Sequence, residues 1–269
     1  MSGQIASEAH LSLVIARKEI VDHAREVRSV GASTMHLLMG PTIICLVSFS
    51  PGLASGTKAA SVLAGMMSIF VLVGAFMGGM NVAMDVVAGE RERQSLLPLL
   101  MNPVSRMTVI LGKWLATSLF SVLGVLFTLA TFALVFQMRR LHTPLFDEPA
   151  LLSWAALGIV PLAFLAAALQ VAISTACRTV KEAHTYLSAL IFIPMGIAMF
   201  LVFFPNKLGA WMSFVPVAGQ QAIAEFGMRT GHWPLQHGLE LALTTLWLTA
   251  ITVVAAGQML ESDSIVYGR

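Results

Sequence analysis

Residues 88–116 read AGERERQSLLPLLMNPVSRMTVILGKWLA, a compact charged stretch between two long apolar runs. Four consecutive charges, Glu90, Arg91, Glu92 and Arg93, close the first run. Leu96, Leu97, Leu99 and Leu100 come next as a short apolar patch. Pro98 and Pro103 limit helix length there, because proline lacks the backbone donor and clashes one turn back. Ser105 stands where it can cap the next helix. On the residues alone, the stretch reads either as a charged terminus with an interfacial connector or as a lever for a cytoplasmic motor. Glu90 and Arg91 are expected to be exposed in either case, so that their loss costs little folding energy.

The surroundings settle the class. Apolar residues make up 57% of the 269 and charged residues 11%, against about 25% charged in soluble domains. The net charge of +2, without a dense basic run, excludes nucleic acid as a partner class. Six runs are long enough to cross a bilayer, which takes roughly 20 helical residues. They cover 30–49, 59–88, 109–137, 151–175, 186–204 and 239–257. The second is long enough that it must tilt or project. The predicted fold is an all-α integral membrane protein with six transmembrane helices, one permease domain over 1–269.

Basic residues orient it. Arg17, Lys18, Arg25, Arg28, Arg91, Arg93, Arg106, Lys113, Arg178, Lys181 and Arg269 lie on one side. Lys58, Arg139, Arg140, Lys207 and Arg229 complete the 16 on the other. The richer side is expected to be cytoplasmic, with both termini inside the cytoplasmic membrane. Trp154, Trp211 and Trp233 then anchor the outer boundary, Trp114 and Tyr186 the inner one. No cleavable signal is read in the first residues.

Three further segments have shape. Residues 11–29 form an amphipathic helix, with Leu13, Ala16, Ile20, Ala24 and Val27 at helical spacing and Arg17, Lys18, Glu19 and Asp22 opposite. Such a helix lies in the interface, as a plain anchor or as an elbow that shapes a contact surface. Residues 205–238 hold two apolar pieces, 208–217 and 218–228, too short to span, and read as outer re-entrant helices. Within the second span, Gly74, Gly78, Asn81 and Asp85 share a face. Small residues there permit close helix approach. Asn81 and Asp85 either pack at the wet end or line a pathway. Gln170 sits on a similar small-residue face, and His36 and Pro41 read as a kink.

Catalytic signals are absent. There is no H-E-x-x-H and no metal-spaced His/Cys cluster. His232 and His237 lack a third ligand nearby. No G-x-S-x-G or P-loop is present, so the chain is not expected to hydrolyse ATP itself. Cys45 and Cys177 lie most of a bilayer apart in this topology, beyond disulfide reach.

Residues 16–28, 89–100 continuing through Pro103-Val-Ser-Arg106 to Gly112-Lys113, 181–187 and 215–220 resemble the permeases of the type 2 ABC-exporter family. Within that family they are most similar to the NatB-like sodium-efflux branch. The likeness runs from about residue 14 to the tail. It implies a permease subunit of an ATP-driven exporter, moving sodium or another small ion or molecule outward. The partners implied are cytoplasmic ABC ATPase chains, which hold ATP and Mg, and a second permease. The bilayer completes the set, and this chain carries no cofactor of its own. The resemblance makes 11–29 an interfacial elbow helix and 89–108 a cytoplasmic coupling segment. Glu90, Arg91, Glu92, Arg93 and Arg106, with Arg17, Lys18 and Glu19, would couple to the ATPase. The pathway would be lined by the first, second and fifth spans, with Asn81 and Asp85 facing it. The extra C-terminal membrane domain of some NatB-like permeases is not expected here, so nothing enzymatic is carried over from them. The rival expectation is an ATP-independent six-span channel or secondary carrier, which predicts intramembrane charge pairs or an inverted repeat, and neither is read in the sequence.

Overall fold

The computed structural model describes residues 2–47, 57–96, 98, 101, 104–139, 158–203, 214–230 and 235–261. Among these, the regular structure is entirely helical. That is what a chain in hydrocarbon requires, since each backbone N–H must find its acceptor within its own segment. The helices are α1 (Ser2–Arg25), α2 (Val27–Val47), α3 (Thr57–Ala83), α4 (Arg106–Arg139), α5 (Val160–Ala176), α6 (Val180–Phe203), α7 (Ala218–Thr230) and α8 (Leu235–Glu261). α3 runs on through a π-helical segment, Met84–Gly89, into a last turn, Glu90–Glu92.

Four stretches are long and apolar enough to cross a membrane: Met66–Glu92, Arg106–Val135, Val180–Leu201 and Leu235–Glu261. They correspond to the second, third, fifth and sixth expected spans. Shorter apolar helices, Ser33–Leu46 and Val160–Ala176, stand where the first and fourth were expected. The chain is an integral membrane protein with four such spans among its described residues.

α3 is the central element, packed against α2, α4, α5, α6 and α7. Its closest neighbour is α4, and two glycines explain the approach. A Cβ at Gly78 would lie 2.8 Å from the Phe120 carbonyl oxygen, and one at Gly124 would lie 2.8 Å from the Gly78 Cα. Gly79 meets Ser121 and Thr117 in the same way. The small-residue face of the second span is therefore a packing seam, as such faces are between membrane helices. Val71, Leu72, Ala75 and Phe76 of α3 join Val125, Phe132, Leu162 and Ala166 in the main apolar core. Gln170 donates from α5 to the Phe76 carbonyl, which gives it a packing role. The outward stripe of α8, Leu239, Leu243, Trp247, Ile251 and Val254, is exposed at helical spacing and suits lipid.

Two details differ from expectation. α1 begins at Ser2 rather than at residue 11 and stops at Arg25, where the Glu26 N–H turns back to the His23 carbonyl at 3.0 Å. Its buried face carries Ser12, Ala16, Glu19 and His23, whereas Leu13 and Val14 are exposed. Leu13 and Val14 turn outward while Glu19 turns inward to a charged partner, Lys113 of α4. α2 continues as helix through Pro41. In the 205–238 region, the second expected piece is described as α7; of the first, 208–217, residues 208–213 lie outside the described residues. So do Leu97, Leu99 and Leu100 of the apolar patch, whereas Leu96 is buried.

Candidate functional site

The ends of α3, α5 and α8 meet the starts of α4 and α6 around the four charges at 90–93. The chain turns there by a specific device. The Arg93 N–H donates to the Gly89 carbonyl, that of Gln94 to Arg91, and that of Ser95 to Glu90. With Gln94 at φ 57°, this is a Schellman-type termination with a left-handed residue just past the helix. Upstream, the π segment has Glu90 N–H donating to the Asp85 carbonyl. The extra residue rotates the next turn relative to a plain α-helix. Glu90 consequently points inward.

There it meets Lys113, which is completely buried two turns inside α4. Lys113 Nζ lies 2.7 Å from Glu90 Oε2 and 3.3 Å from Glu19 Oε1, and also donates to the Val86 carbonyl. Lys18 Nζ bridges the two carboxylates from outside, 3.3 Å from each, and stands 3.8 Å from Asp22. Two ammonium groups and two carboxylates thus join α1, the end of α3 and α4. A buried charge is tolerable only when paired and hydrogen-bonded in this way. Burial alone would lower the Lys18 pKa, but Glu19 and Glu90 outweigh it and hold the group above the usual lysine value. Burial lowers the pKa of His23, one turn along α1, with Glu26 partly offsetting it.

The neighbouring charges each engage a different element. Arg91 donates to the Cys177 carbonyl and, at 3.0 Å, to that of Thr175. It thereby caps the C-terminus of α5, where a cation also meets the favourable end of the helix dipole. Glu92 Oε2 accepts the Val180 N–H at 2.9 Å, at the start of α6. Arg93 lies 3.8 Å from Asp85, with its side chain 67% exposed. Arg106 donates to the Leu260 carbonyl at 2.9 Å and caps α8. Ser105 does cap α4, accepting the Thr108 N–H at 3.1 Å. The 90–93 run is therefore a structural hub, and the expectation that Glu90 and Arg91 are exposed is corrected. Glu90 is 8% exposed because the π segment and Lys113 draw it in.

The other candidates separate. Arg17 is exposed on α1 and takes no part in the ion-pair cluster. Glu19 is buried in it. Asn81 donates to Ser33 Oγ of α2 at 2.8 Å and borders a groove of about 270 Å3 between α2, α3 and α6, with His36, His184 and Ser188. Asp85 opens instead onto a cavity of about 470 Å3 beneath α1. The two residues do not share one lining.

Lys113 is the residue that sequence reasoning misses, since by position it is only a boundary charge. Its one signal is a lone lysine inside an apolar helical run, which calls for a partner. The carbonyls that receive Arg91 and Arg106 leave no mark in a sequence.

Residues 1–256 match the family described as ABC-2 family transporter protein. Over 190 residues, 64% of its length, the chain is 35% identical to the ABC transporter permease protein NatB of Bacillus subtilis (strain 168). It covers 47% of that relative, so it spans about half the relative's length. The family match takes in α1, the charged hub and nearly all of α8, and the chain belongs to the ABC-2 transporter family.

Proposed function

We propose that this chain is the permease subunit of an ATP-driven exporter, powered by separate cytoplasmic ATPase chains and paired with a second permease. Six spans, both termini inside and the cytoplasmic membrane complete the reading. Cargo leaves the cell; sodium or another small ion or molecule is the class implied by the resemblance to the sodium-efflux branch. ATP and Mg belong to the partner ATPase.

The carrying observation is the buried Lys113–Glu90–Glu19 bridge. It locks α1 to α3 and α4 at the end of the bundle where the coupling segment emerges. Force applied to that segment, or to the exposed side of α1, then moves these helices as a unit. Contact falls to the accessible charges, Arg17, Lys18, Glu92 and Arg93, while Glu19, Glu90 and Lys113 transmit. The groove between α2, α3 and α6 supports a pathway there, with Asn81 on its wall. Asp85 lines the cavity beneath α1 instead.

An ATP-independent channel or secondary carrier remains the alternative, and partner capture separates the two. Gentle extraction from native membranes should bring a nucleotide-binding ATPase down with the chain. Repeated isolation of the chain alone, with transport intact, would show the exporter reading to be wrong.

A further inference from the structure

We propose that His23, Glu26 and Asp85 form a site for a divalent first-row transition-metal cation that clamps α1 to the end of α3. One ligand atom from each of the three lies within 4.8 Å of the others. Zinc bonded at about 2.0–2.2 Å to imidazole nitrogen and carboxylate oxygen places neighbouring ligand atoms about 3.4 Å apart. Glu26 is exposed and Asp85 half-buried, so side-chain rotation can close the difference.

The fold prearranges the set. The tight turn after α1 brings Glu26 back beside His23. The His23 ring is buried and stands edge-on to Phe120, with centroids 4.8 Å apart and planes at 77°, which fixes its direction. Asp85 is held on the π segment of α3. All three line the cavity of about 470 Å3, which leaves room for water at the remaining coordination positions. The same wall carries five carboxylates, Glu19, Asp22, Glu26, Asp85 and Glu90, against Lys18, Arg25 and Arg93. Even with Lys113 behind Glu19 and Glu90, negative charge is in excess. Arg93 is the present neighbour of Asp85, but its exposed side chain can swing into solvent.

Donor chemistry selects the cation. Imidazole suits zinc, copper, iron and nickel, whereas magnesium and calcium want oxygen ligands throughout. The proposal is independent of the exporter reading, because it concerns binding to the chain itself.

Co2+ titration of the full chain in detergent, followed by its d–d absorption, tests it. One Co2+ per chain should bind, be displaced by Zn2+, and resist a large excess of Na+ or Mg2+. Asp85→Asn and Glu26→Gln should each weaken binding at least about tenfold, and His184→Asn, in the separate groove, should leave it unchanged. Because Glu26 is exposed, Glu26→Gln keeps the fold, which an unaltered size-exclusion profile verifies. Absence of a band, displacement by Na+ or Mg2+, or unweakened binding by Glu26→Gln and Asp85→Asn would overturn the site.

Discussion

Lys113 concentrates the energetics of this molecule in one side chain. Removing it leaves two carboxylates facing each other in a buried space, and breaking a buried pair in this way costs about 3–5 kcal/mol. Lys113→Met should therefore lower unfolding stability in mixed micelles by that order. Lys18→Gln, whose side chain is 57% exposed, should cost less than about 1 kcal/mol. Equal losses from the two variants would mean that the buried bridge is not what holds α1. Lys18 also has a pH signature. Its folded pKa lies above the ordinary 10.5, so its contribution is complete below that pH and fades as pH rises through the raised value. The alkaline loss of stability should be shallower in Lys18→Gln than in the parent. The charged run and the acidic and basic partners on 11–29 are legible in the sequence. The inward direction of Glu19 and Glu90 is not, because it depends on the π segment and on a lysine two turns into another helix.

Among the elements, the turn at 90–95 and the α3–α4 seam make opposite demands on small residues. Gln94 takes a left-handed backbone that costs a side-chain-bearing residue about 1 kcal/mol or more. Gln94→Gly should be neutral to stabilising, by up to about 1 kcal/mol, in the same unfolding assay; a marked loss would show that the turn is built differently. At the seam, Gly124 has no space for a side chain. Gly124→Val should force α3 and α4 apart and cost at least about 1–3 kcal/mol as overpacking, read as loss of folded material after extraction. Long apolar runs make α3, α4, α6 and α8 visible in the sequence, and Gly74, Gly78 and Gly79 announce a close neighbour. The identity of that neighbour is not visible, since any helix could fill the gap. The outer face of α1 is not legible for a related reason: hydrophobic periodicity shows that two faces differ, not which of them meets protein and which meets lipid.

For the molecule as a whole, family and membrane class are both legible, because eleven basic residues on one side, six apolar runs and the coupling-like segment agree with one another. Arg139 and Arg140 lie on the poorer side in a short connection and oppose the orientation; reversing the chain would place the other eleven outside instead. The bundle geometry adds weight, since Arg91 and Arg106 tie the ends of α5 and α8 to the same end as the 90–93 hub. The central claim is that this hub faces the cytoplasm, where an ATPase can reach Arg93 and Lys18. Ser95, exposed just past the hub, reports on it directly. In a chain with Cys45 and Cys177 replaced by serine, Ser95→Cys should resist a membrane-impermeant thiol reagent on intact cells and react once the membrane is opened. Reaction on intact cells would put the hub outside and contradict the account.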